Sequence, residues 1–243
     1  MDDETETGVD RAELTRLQQK VAALEGLVLE SMSLISHELK SPLVSVGGFA
    51  TTMLVQWESM AEPDKLRYLG IISAQAQRLA RLIDDLVVLS KADAGVLHPA
   101  PLSITAIGAI RQCLLHSGKG DEFEVVCDEE LEVLVDAGQL QHMLGNCVVN
   151  AVAHGAAPFR LQAVALDGEI EFRVLDSGEG IPPEFIPQLF EQFTRGPTAP
   201  QIRGSGVGLA AARCLAEVNG GRVSYAPNTP TGSVFSVTLP AAG

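Results

Sequence analysis

The chain has 243 residues, 46% of them hydrophobic, which is ample for a packed core and too much for a wholly disordered polymer. Its 31 acidic residues against 17 Lys and Arg give a formal net charge of −14. That balance argues against a nucleic-acid backbone or an anionic membrane as the main partner, since both reward clustered cations.

Four cysteines, Cys113, Cys127, Cys147 and Cys214, form no CxxC pair and sit among apolar residues. They read as reduced core thiols, which suits a reducing, cytoplasmic compartment. The chain holds no apolar run of about 18 residues and its N-terminus is acidic, so we expect no membrane contact within it and no signal peptide.

Residues 1–10 are acidic without periodicity and are expected to fray. Leu14, Leu17, Val21, Leu24 and Val28 then alternate by three and four, a heptad seam that Ile35 continues. Residues 1–30 therefore read as a coiled-coil-like linker helix leading into a bundle. A second helix is predicted from Lys65 to about Ala92 on the stripe Leu69, Ile72, Ala76, Leu79, Ile83 and Leu86. Glu62-Pro63-Asp64 would start it, with Pro63 in the first turn, and Asp93-Ala94-Gly95 would end it. Two such helices form an antiparallel hairpin over residues 31–97. One hairpin buries too little to stand alone, so a homodimer closing a four-helix bundle is expected.

The character changes after His98-Pro99-Ala100-Pro101. Short β-branched runs cover 123–127, 131–135, 159–166, 169–175, 222–225 and 233–239. Helical patterns occupy 104–116, 137–154 and 206–219. The predicted fold class is thus a helical hairpin followed, over 102–243, by an α/β sandwich: a sheet with helices on one face.

Five segments carry chemistry. Ser36-His37-Glu38-Leu39-Lys40-Ser41-Pro42-Leu43 sets a histidine beside a carboxylate on a polar helix face. Imidazole titrates near about 6.5, so much of it is a neutral nucleophile at cell pH. One ring nitrogen can attack while Glu38 orients the other or takes its proton. Pro42 is expected to kink or loosen that helix. Asn146 and Asn150 stand one turn apart on a second helix. Asp176-Ser177-Gly178-Glu179-Gly180 follows a strand, and Leu189 to Arg195 carries Phe190 and Phe193. Gly204-Ser205-Gly206-Val207-Gly208-Leu209 opens a helix whose N–H groups can attract phosphate.

In this order the five segments resemble the sensor histidine kinases of two-component signalling. The resemblance implies a dimerisation and phosphoacceptor domain followed by an ATP-binding domain of the gyrase, chaperone and histidine kinase superfamily. It implies that His37 accepts the γ-phosphoryl of ATP with Glu38 assisting, and passes it to an aspartate on the receiver domain of a response regulator. Asn150 would ligate Mg²⁺ with Asn146 nearby, and Asp176 would read adenine. Gly178, Gly180, Gly204, Gly206, Gly208 and Leu209 would line the nucleotide.

Two departures from the family pattern stand out. The family usually carries Lys or Arg three positions after the second asparagine; here Ala153 stands there, followed by His154, so Arg195 or Arg203 would supply the cation. Members that also dephosphorylate usually carry Thr or Asn four positions after the histidine, where this chain has Ser41. A phosphatase role stays open. The alternative reading is a non-catalytic, nucleotide-sensing dimeric scaffold, distinguished by binding ligand without acquiring acid-labile phosphate.

Overall fold

The computed structural model describes residues 4–194 and 206–242, and they fall into two compact units, Met1–Ala80 and Arg81–Gly243. The composition break at 98–101 lies inside the second unit.

The first unit is built from α1, Glu4–Gln56, and the opening turns of α2, Glu62–Asp93. The helix starts at Glu4 where a frayed end was expected, because lengthening an existing helix needs no new nucleus, even through weak helix formers such as Thr5, Thr7 and Gly8. The connection is tight: Met60 N–H donates to Gln56 O, and the Lys65 ammonium lies 4.6 Å from the Trp57 ring centre. Two cross-contacts fix the direction. Phe49 meets Tyr68 with ring centres 5.1 Å apart, and further from the turn Arg78 bonds Glu38. Moving back along α1 matches moving forward along α2, so the pair is antiparallel. Leu14 and Val21 of the heptad seam are exposed within one copy; the side chains of Leu17, Leu24 and Val28 lie outside the described residues. The assigned helix runs unbroken through Pro42, which is buried, and no interruption marks the expected kink.

The second unit holds the rest of α2 and a five-stranded sheet in the order β2-β4-β5-β7-β6. Its strands are β2 (Phe123–Cys127), β4 (Phe159–Leu166), β5 (Glu169–Leu175), β6 (Arg222–Pro227) and β7 (Ser233–Pro240). β2 runs parallel to β4, and every other pair is antiparallel. A short ladder, β1 (Leu102–Thr105) with β3 (Glu132–Val135), was only half anticipated. β1 is four residues long and follows Pro99 and Pro101, so its signal was faint. The helices are α3 (Ala106–Ser117), α4 (Ala137–His154) and α5 (Gly208–Val218), within two residues of the expected spans at each end.

Alternation in β5 turns Ile170, Phe172 and Val174 into the core, where they meet the apolar face of α4: Leu140, Met143, Leu144, Cys147, Val148 and Ala151. Asp136 caps α4 by accepting the Gln139 N–H at 3.0 Å. Cys113 and Cys147 are the core thiols expected, and burial pushes each up to about 12; Cys127 and Cys214 are half-buried instead. No helix among the described residues is long and apolar enough to cross a membrane.

Leu144 is fully buried beneath this sheet. Leu144→Ala should cost about 2–5 kcal/mol of unfolding free energy for the second unit, read by denaturant melting of the full chain. A loss near zero would contradict the packing of α4 described here.

Candidate nucleotide and phosphoacceptor sites

In the first unit the helix phase separates two adjacent residues. His37 points outward, its side chain 80% exposed, while Glu38 is turned inward and buried. His37 Nδ1 stands 3.8 Å from Glu38 Oε1, a charge-orienting distance rather than a hydrogen bond. Glu38 Oε2 accepts from the Arg78 guanidinium at 3.1 Å. Arg78 lies off the apolar stripe of α2, where a solvent-facing side chain is the ordinary expectation. Instead it reaches across the hairpin to neutralise a buried carboxylate, a pairing 40 residues apart that no local spacing reveals.

In the second unit, burying one face of α4 leaves the opposite face outside the core. His142, Asn146, Asn150 and His154 recur there every four residues and form a column. Asn146 and Asn150 are brought together as expected. Partial burial holds the His154 imidazole below its ordinary value, which keeps it neutral and unsuited to replace the cation missing at Ala153.

Asp176 follows directly on β5 and is 2% exposed. Its own N–H donates to Ser233 O, its Oδ1 accepts the Gly178 N–H at 2.8 Å, and its carbonyl accepts from Asn228 Nδ2 at 2.7 Å. Gly155, at the C-terminal end of α4, lies against it. A Cβ there would stand 2.4 Å from Asp176 Cγ, an impossible approach. A Cβ on Gly178 would in turn meet the Gly155 backbone at 2.9 Å. An ordinary turn does not require a carboxylate wrapped by backbone this closely. The contact joins Asp176 to the end of the α4 column, and the arrangement fits a ligand offering a hydrogen-bond donor to a buried carboxylate. The sequence flagged Gly178 but missed Gly155, which reads there as a mere helix stop.

Of the remaining expected residues, Gly180 packs near the Tyr225 hydroxyl, which accepts the Ile181 N–H. Phe190 packs against the core, and the Phe193 N–H donates to Gly206 O. Gly206 adopts φ 68°, a left-handed conformation that favours glycine. Gly208 and Leu209 begin α5. Arg195, Arg203 and Gly204 lie outside the described residues. Among the described residues, no cluster of three His, Cys, Asp or Glu side chains is poised to hold a metal. The amide oxygen of Asn150 is a hard donor of the kind a hard divalent ion takes.

A buried carboxylate stands at the end of an asparagine-bearing helix in one unit, and an exposed histidine stands on a helical hairpin in the other. The model of the His Kinase A (phospho-acceptor) domain matches residues 29–95, and that of the histidine kinase-, DNA gyrase B- and HSP90-like ATPase matches 135–243. The chain belongs to the sensor histidine kinases. It is 27% identical over 238 residues to the signal transduction histidine-protein kinase AfsQ2 of Streptomyces coelicolor, covering 92% of this chain and 44% of that protein. It is 30% identical over 167 residues to a probable sensor histidine kinase HK of Mycobacterium tuberculosis, covering 68% and 44%. The chain thus spans less than half the length of these curated relatives. The fold matches that of the Acinetobacter baumannii histidine kinase AdeS with a TM-score of 0.62 at 19% identity, over 85% of this chain and 98% of that one.

Gly155→Ala should push Asp176 out of place and weaken ATP binding by about tenfold or more, measured by calorimetry on a variant that still melts cooperatively. Unchanged affinity would remove Asp176 from the ligand site.

Proposed function

We propose that this chain is a histidine autokinase that moves the γ-phosphoryl of Mg·ATP to His37 and then to an aspartate on a response-regulator receiver domain. The observation that carries the reading is the pairing of an exposed imidazole with a buried, arginine-held carboxylate in a chain that also bears the ATP-binding domain. A nucleotide-sensing scaffold has no use for that pair.

Nδ1 of His37 faces Glu38, so Nε2 is the attacking atom. Its lone pair forms the N–P bond as the bond from the γ-phosphorus to the bridging oxygen breaks, and ADP leaves with that electron pair. Glu38 orients Nδ1–H and accepts its proton as positive charge builds on the ring. Arg78 keeps the carboxylate in place throughout. Because phosphoryl transfer asks for little covalent help from the protein, positioning and charge stabilisation dominate. Asp176 would accept the adenine amino hydrogen, and Asn150 with Asn146 would hold the metal-and-phosphate end. Bound Mg²⁺ supplies neutralisation of phosphate charge.

The dimer follows from the same unit. Leu43, Val44, Leu54, Val55 and Leu66 are exposed along the hairpin within one copy, and a second copy closing a four-helix bundle would cover such side chains. A regulator would then dock near His37, and the reduced core thiols suit a cytoplasmic setting.

His37→Gln should abolish acid-labile, base-stable label from γ-labelled ATP while leaving ADP affinity within about twofold, as expected for an exposed side chain that belongs to the other unit. Persistent acid-labile label on the variant would overturn the assignment.

A further inference from the structure

Asp85 is a buried carboxylate that the transfer step does not use. It lies in the part of α2 that belongs to the second unit and is 4% exposed. Its Oδ1 accepts two hydrogen bonds from the α4 column: His142 Nε2 at 2.7 Å and Asn146 Nδ2 at 2.9 Å. The same Nδ2 donates to Gly208 O at 2.8 Å. The absence of a side chain on Gly208 lets the three groups meet without crowding. A Cβ would stand 3.3 Å from Asn146 Oδ1 and 3.4 Å from Asp85 Oδ2. Three segments distant in sequence therefore converge on one amide.

The chemistry of that amide is then decided. Both partners of Nδ2 are pure acceptors, so turning the group over would set Oδ1 against a carboxylate and a carbonyl. With Nδ2 committed, Oδ1 is the atom left for a ligand. An amide oxygen repels a bare phosphate and attracts a cation or its water ligands; an amide nitrogen does the reverse. A buried carboxylate is costly unless its bonds are made, and an apolar residue would serve helix packing at less cost. What the carboxylate adds is orientation.

We propose that Asp85 is a positioning residue of the nucleotide site, fixing Asn146 with Oδ1 forward so that nucleotide binds well only together with a hydrated divalent cation. The proposal rests on the reading of Asn146 and Asn150 as the metal-and-phosphate end of that site. Asp85→Ala would leave Gly208 O as the amide's remaining acceptor and release one Nδ2 proton to donate to phosphate directly, and nucleotide affinity would lose part of its dependence on Mg²⁺. Because both bonds end on one oxygen, the amide oxygen in Asp85→Asn can accept both and should preserve the wild-type behaviour.

The test is the ratio of ADP dissociation constants in EDTA and in Mg²⁺, measured by calorimetry on the full chain. Asp85→Ala should shrink the ratio about tenfold, the scale of one hydrogen bond to a charged group, and Asp85→Asn should keep it. An unchanged ratio in Asp85→Ala, an equal fall of both affinities, or an Asn variant that behaves like Ala would each overturn the proposal. If wild type binds no ADP in either condition, the nucleotide reading beneath the proposal fails first and takes it along. A measurement on wild type guards against an unstable variant. The assigned Asn146 Nδ2 protons should exchange slowly with and without Mg·ADP, and fast exchange would contradict the bonds on which the inference stands.

Discussion

One contact sets the geometry of the nucleotide-binding unit: the end of α4 against the end of β5, where Gly155 meets Asp176 with no room for a side-chain atom. The apolar face of α4 locks the helix to the sheet, and that burial fixes the opposite face as well. Asn146 and Asn150 are thereby held at a set distance and phase from Asp176. On the proposed function, one end of a nucleotide would meet a carboxylate and the other amide oxygens, with a hydrophobic core, rather than the polar residues themselves, setting the spacing. The polar network of Ser233, Gly178 and Asn228 then holds Asp176 in one orientation.

The phosphoacceptor unit solves a different problem with the same economy. A nucleophile must be exposed, whereas the carboxylate beside it must be held. Adjacent helix positions point about 100° apart, so a single turn of α1 presents His37 to solvent and directs Glu38 inward. Arg78 offsets the cost of burying that carboxylate and keeps it from wandering. A helical hairpin with apolar side chains left on its outside is a natural carrier for such a pair, because the proposed dimer would complete its core.

Much of this was legible before any coordinates. The stripe on α4 placed the helix to the residue, and alternation placed β4 and β5 likewise, because those elements have one buried and one open face. The motif order located His37, Asn146, Asn150 and Asp176. The partners of those residues were not legible. Arg78, Asp85, His142 and Gly155 act through contacts between segments tens of residues apart, and local pattern carries no record of such pairings. His142 alone left a trace, four positions before Asn146 on the same face. Gly208 was read as a phosphate loop glycine, and the contact of its backbone with the Asn146 amide was not foreseen. β1 escaped because four residues after two prolines carry too little periodicity to register.

The central claim is that a carboxylate acceptor and an amide column, held in register by one helix, form a single adenine-nucleotide site. The direct measurement is binding of Mg·ATP against Mg·GTP to the wild-type chain and to Asp176→Asn. An acceptor at residue 176 welcomes the amino group of adenine and opposes the carbonyl that guanine carries at the same position. ATP should bind at least about a hundredfold more tightly than GTP, and the Asn variant should narrow that gap sharply. Equal affinity for the two nucleotides in wild type would contradict the account.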